Sequence, residues 1–204
     1  MRIYVDPACD ILYSSYYLFG FKELELEVIF TSKYFDLFEL NNQFLPIVVE
    51  KNNQFFKVII DYGDGANIDQ IAYGWSDRYF KINCKYGDLS EFGKLTCIGP
   101  SFGINIYTKH QLFILGISNF IKARKRIHNV KRFFSNYKAL LGRLSYNYYT
   151  IKKPRTNYIY FMASIWKNEK ETNNFRLNFI KACQAIKGVD FEGGFAPRSN
   201  GDNL

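Results

Sequence analysis

The residues best placed to do chemistry lie together near the end of the chain. Ser164, Trp166, Lys167, Lys170, Asn173 and Arg176 fall in SIWKNEKETNNFR, just after the apolar run YIYFMA. Lysine, arginine and amide groups gathered near a helix N-terminus suit an anion, because unpaired backbone N–H groups point the same way. Trp166 adds a flat face that can stack on a base or sugar, or pack half-buried between domains. A second group, Gly193, Gly194 and Arg198, sits in FEGGFAPR. The glycine pair lets a backbone approach a ligand closely and Arg198 can reach an anion; a plain turn after a strand reads the same way. The third group is carboxylate. Asp6, Asp10, Asp61 and Asp64 each end or follow an expected strand, and Asp61 and Asp64 share the turn-rich DYGDGAN. The G-x-G there lacks a third glycine and a downstream acid, so it does not read as a dinucleotide fingerprint.

These groups need elements to hold them. Tyr158 to Arg198 reads as strand, polar loop, amphipathic helix and strand, one βαβ unit whose parallel strands require a crossover. Phe175, Phe179, Ala182, Cys183 and Ile186 recur at helical spacing as one apolar stripe. Asn168 with Glu171 fits an N-terminal cap, and Gly188 fits a left-handed stop before Val189 and Phe191. Loops at the carboxyl ends of parallel strands are where open α/β sheets bind ligands. The plainer reading of this loop is a solvated one with intrahelical ion pairs, Lys167 with Glu171 for example.

Upstream, strands are expected at Arg2–Val5, Leu24–Phe30, FLPIVVE and QFFKVIID, the last two forming a hairpin across Lys51-Asn52-Asn53. ILYSSYYLFGF reads as a helix broken at Gly20. A short helix at Asn67–Gly74, strands in RYFKINC and KLTCIG, and one long or two broken helices from His110 to about Leu144 follow. Strands alternating with helices imply a mostly parallel sheet covered on both faces. The polar connector IKKPRTN separates a first domain, residues 1–153, from a second, 154–204, that holds only two strands and one helix. So small a remainder, ending in the polar SNGDNL, reads as the beginning of a second domain in a longer protein.

Net charge is +8 and the pI about 9.2, which favours phosphorylated ligands, anionic lipid or nucleic acid. The abundance of Lys, Asn, Ile, Phe and Tyr, residues of A/T-rich codons, offers a second source for that basicity. The main basic run is KARKRIHNVKRFF, residues 122–134, after LFILGISNFI. It fits either a helix resting on anionic lipid or the solvated face of a packed helix. No recognised nucleic-acid motif accompanies it, so nucleic acid is not an expected partner. The 4 cysteines stand far apart without a C-x-x-C pair and there are 2 histidines, so reduced thiols and no metal are expected. No run approaches the roughly 20 apolar residues of a spanning helix, and MRIYVDPACD lacks the core of a signal peptide. A cytoplasmic protein is expected.

SIWKNEKETNNFRLNFIKAC together with FEGGFAPR resembles the bacterial glycosyltransferases of surface-polysaccharide clusters, GT-B-fold enzymes of exostosin-like or family-4-like type. DRYFKIN (residues 77–83) and IGPSFGI (98–104) are consistent with the first of their two Rossmann-like domains. The resemblance implies an α/β fold: a Rossmann-like acceptor-side domain, then the first βαβ unit of an incomplete donor-side domain. It implies a nucleotide-sugar donor and a polysaccharide or lipid-linked glycan acceptor; a peripheral contact of the basic run with the inner face of the plasma membrane would suit such a transferase. Ser164, Trp166, Lys170, Asn173 and Arg176 would then lie by the donor diphosphate. Lys170 and Arg176 would stabilise charge on the leaving group, the work a metal does in other folds, so neither metal nor cofactor is expected. Asp61 or Asp64 would be the general base of an inverting enzyme; a retaining one needs no such base. Most of the donor domain is lacking, so this chain alone is expected to be inactive. The alternative is a non-catalytic basic module for nucleic acid or an anionic membrane surface.

Overall fold

Period-two alternation within the strands of the first 100 residues or so sets the two faces of one sheet. A computed structural model describes residues 1–38, 43–85, 87–151 and 156–196. The chain divides into two compact units, Met1–Ile151 and Lys152–Leu204. The first contains β1 (Arg2–Val5), α1 (Ile11–Glu23), β2 (Glu27–Phe30), β3 (Phe44–Lys51), β4 (Gln54–Asp61), α2 (Gln70–Trp75), β5 (Arg78–Lys81), α3 (Asp88–Glu91), β6 (Leu95–Cys97), α4 (Lys109–Ala123), α5 (Val130–Leu141) and α6 (Tyr146–Ile151). Its strands lie in the order β2-β1-β3-β4-β5-β6. Only β3 runs against the others, pairing antiparallel with both β1 and β4.

Ile3, Val5, Leu45, Ile47 and Ile60 pack on one side against α1, α4 and α5. Phe44, Val48, Ile59 and Tyr79 pack on the other against Phe35, Phe38 and Ala72 of α2. The result is an α/β unit with a mostly parallel mixed sheet, covered on both faces and consistent with a Rossmann-like arrangement. The β3–β4 hairpin closes through Asn52 and Asn53, both at positive φ (52° and 61°), the backbone that a tight two-residue hairpin turn requires.

Two local expectations need correction, and one open alternative is decided. First, α1 runs unbroken through Gly20. Its stop lies five residues later, where Glu25 takes a left-handed φ of 54°. There Leu26 N–H bonds Phe21 O and Glu25 N–H bonds Lys22 O, the paired closure of a Schellman end. For that reason β2 begins at Glu27 rather than Leu24. Second, of the two alternatives for the stretch after His110, two helices hold: a Thr108–Gln111 capping box opens α4, and the Asn129 side chain accepts from Arg132 N–H to open α5.

The other correction concerns the second unit, which is the expected parallel βαβ, built from β7 (Tyr158–Ala163), α7 (Lys170–Ala185) and β8 (Asp190–Phe195). Asn168 does not cap α7. It sits at φ 70°, and Glu169 holds the cap position without a side-chain bond to the helix backbone. Ile180 and Cys183 turn inward, and the Phe179 ring meets Phe161 at 4.8 Å. Phe175 is 75% exposed, because two strands are too narrow to cover the whole expected stripe. Tyr160 and Met162, on the strand face away from the helix, are 58% and 48% exposed.

Candidate functional site

In the first unit the carboxylates singled out by sequence lie at the carboxyl ends of parallel strands, the ligand edge of an open α/β sheet. Asp61 closes β4, and the parallel register sets it beside Lys81 and places Ile59 beside Tyr79. Tyr79 and Lys81 are two apart, so they share a face and converge on the same carboxylate. Tyr79 Oη donates to Asp61 Oδ2 at 2.6 Å, Lys81 Nζ to the same oxygen at 2.8 Å, and Gly63 N–H to Oδ1 at 2.9 Å. Lys81 is 1% exposed, so this is a buried ion pair. Burial, then the hydrogen bond to Asp61 and its charge, push the Tyr79 phenol well up; it stays protonated and donating. With three donors engaged, Asp61 has little hydrogen-bonding capacity left for a substrate hydroxyl. Asp64 is different. It is exposed, only its main-chain carbonyl is bonded (by Asn83 Nδ2 at 3.1 Å), and its carboxylate has no partner among the described residues.

Asp6, after β1, forms a bidentate pair with Arg126: Nη2 to Oδ1 at 2.6 Å and Nη1 to Oδ2 at 2.9 Å. Arg126 also donates to the carbonyls of Phe35 and Phe38. It belongs to the basic run, yet it points inward and ties the loop after α4 to the sheet edge. Lys122 bonds Phe30 O at 3.0 Å, so it too is committed to structure. Asp10 caps α1, its Oδ1 accepting from Leu12 N–H at 2.9 Å and Tyr13 N–H at 3.4 Å. Burial holds the Asp10 carboxyl above the ordinary carboxylate range despite those two bonds. The helix N-terminus after β1, which cradles phosphate in nucleotide-binding βα units, is filled here by the protein's own carboxylate, and the Asp6–Asp10 loop contains no glycine.

The second unit holds the other candidates. Asn173 reaches back across the β7–α7 loop and binds Trp166 twice, accepting from its N–H at 3.0 Å and donating to its O at 2.8 Å. Arg176 Nη1 donates to Ser164 O at 2.8 Å, and its guanidinium lies 4.6 Å from the centroid of the Trp166 ring. Ser164, Trp166, Asn173 and Arg176 are therefore brought together, and Trp166 remains 51% exposed. Lys170 is the first residue of α7 and exposed, without a contact to that group. Gly193 and Gly194 lie inside β8, not in a loop after it, at φ 134° and 139°. A Cβ on Gly193 would stand 1.9 Å from Phe161 O, so strand pairing alone accounts for that glycine. Arg198 lies outside the described residues.

Sequence reasoning missed Tyr79, Lys81 and Arg126. The first two are legible only once β4 and β5 are known to be neighbours. Arg126 was hidden inside a run of cations. A cleft of about 610 Å³ runs along edge strand β2, lined by Leu18, Leu26, Val28, Ile106 and Leu115, and none of the candidate carboxylates lines it. Among the described residues no group of three or more His, Cys, Asp or Glu is arranged to hold a metal ion. No protein-family model, curated protein or solved structure matches this chain.

Proposed function

We propose that this chain belongs to a GT-B-type glycosyltransferase that moves a sugar from a nucleotide-sugar to a polysaccharide or lipid-linked glycan acceptor. In this reading the first unit serves the acceptor and the second unit the donor. The observation that carries it is the loop Ser164–Glu169 at the carboxyl end of a parallel strand, braced by Asn173 and flanked by Arg176 and Lys170. Arg176 spends one N–H on Ser164 O and keeps the others of its five for an oxyanion. Lys170 adds a second cation at the start of α7. The two would neutralise charge as the nucleoside diphosphate leaves, with no step routed through a metal. Asp10 supports the same division of labour, since its carboxylate leaves no phosphate cradle at α1. Of the two carboxylates proposed as general base, Asp64 is the freer; Asp61 would first have to release a partner.

The test is calorimetric titration of the chain with UDP and GDP, repeated with Arg176→Ala. Saturable binding is expected, weakened roughly tenfold or more by loss of one charge-assisted contact. Absence of heat with both nucleotides at millimolar concentration would refute the reading, as would binding indifferent to Arg176.

A further inference from the structure

Helix α4 is apolar on two opposite sides. Leu112, Gly116 and Ala123 face the core, together with Asn119, whose Nδ2 donates to Tyr137 Oη at 3.0 Å. On the other side Phe113, Ile114, Ile117 and Ile121 stand in solvent, Phe113 68% and Ile121 64% exposed. On neighbouring α5, Val130, Phe134 and Leu141 are exposed too, and the Phe120 and Phe134 rings lie 5.4 Å apart, so the patch is continuous across both helices. Between them runs a groove of about 270 Å³ lined by Phe113, Phe134 and Leu141 with Lys109 and Lys138. A continuous exposed apolar face rimmed by polar residues marks an interaction site.

Charge identifies what covers it. From Phe92 to Asn168 the chain carries 14 Lys and Arg and no Asp or Glu, while all 19 acidic residues lie elsewhere. Lys109, Arg124, Lys125, Lys131 and Lys138, at the ends and flanks of the patch, are exposed and form no ion pair among the described residues. We infer that the α4–α5 face docks on an anionic lipid bilayer, the isoleucines and phenylalanines entering the headgroup boundary and the lysines and arginines meeting lipid phosphates and carboxylates. A second copy brings no carboxylate on these helices to match the cations. Nucleic acid offers no apolar counterpart to three isoleucines, which do not stack on bases as aromatic rings do. No helix among the described residues is long and apolar enough to cross a membrane, so the contact is interfacial. This surface operates whether or not the chain transfers sugar.

The test is sedimentation of the full chain with vesicles of phosphatidylcholine containing 30% phosphatidylserine, beside pure phosphatidylcholine, at about 0.1 M salt. Binding to the anionic vesicles alone is expected. Ile117→Asp/Ile121→Asp should cut partitioning more than about tenfold, although every cation remains. Lys125→Gln/Lys131→Gln should cut it on the order of twentyfold, about fivefold per charge. All four positions are exposed, and unchanged circular dichroism confirms the fold. Equal partitioning of the Asp variant and the parent overturns the inference, as does no binding to anionic vesicles at low salt. So do a dimer in solution that Ile117→Asp dissolves, and single-stranded DNA bound equally by parent and Asp variant.

Discussion

At the scale of residues, the weight falls on buried charge. Lys81 and Asp61 leave water together, and removing one partner strands the other. Lys81→Met should therefore destabilise the protein by about 3–5 kcal/mol, whereas Lys81→Met/Asp61→Asn should recover most of that loss. Urea denaturation decides; a single mutant as stable as the parent contradicts the buried pair. Asp10 makes a pH-dependent prediction. Its carboxyl keeps its proton to higher pH folded than unfolded, because of burial. As pH rises through the ordinary carboxylate range the unfolded chain ionises first, so stability falls across that window and the loss persists above it. Asp10→Asn keeps an acceptor for Leu12 and Tyr13 but cannot ionise. It should melt higher than the parent at pH 7 and no differently below about pH 3. Relative to Asp10→Asn, Asp10→Ala should lose about 1 kcal/mol from the missing cap at either pH. The positions of these carboxylates at strand ends were legible in sequence. Their partners were not, because Tyr79, Lys81 and Arg126 reach them through pairings between distant segments.

At the scale of elements, backbone conformation separates what sequence could and could not reveal. The Asn52–Asn53 hairpin was legible because two asparagines between alternating runs carry a local signal. The end of α1 was not, since Glu25 occupies a left-handed position that the sequence pattern reserves for glycine. Glu25→Gly should consequently stabilise the protein by about 1 kcal/mol, readable as a rise in melting temperature. Gly193 is the converse. Gly193→Ala places a methyl against the Phe161 carbonyl and should cost on the order of 3 kcal/mol or more. Hydrogen exchange should then show protection lost across 158–195 and kept in β1, β3 and β4. Protection unchanged in β7 and β8 would contradict the pairing of Gly193 with Phe161. The cap expected at Asn168 failed for a related reason: Asn173 organises the loop from within the helix, a contact spanning seven residues that no capping pattern encodes.

At the scale of the molecule, alternating strands and helices made an α/β fold with a mostly parallel sheet legible, and the βαβ unit near the end with it. The place of β3 between β1 and β4 was not, because hairpin signals fix a partner and not a neighbour on the far side. Charge also acts at this scale: a long acid-free stretch sets a basic face on an otherwise net acidic chain. The donor reading can be read out unit by unit, since the two tryptophans are divided between the units, Trp75 in the first and Trp166 in the second. Their indole N–H resonances, assigned with Trp166→Phe, should be followed while UDP or GDP is titrated to millimolar concentration. On the donor reading, the Trp166 signal shifts saturably and that of Trp75 stays in place. A Trp166 signal unmoved by either nucleotide, or a response confined to Trp75, would contradict it.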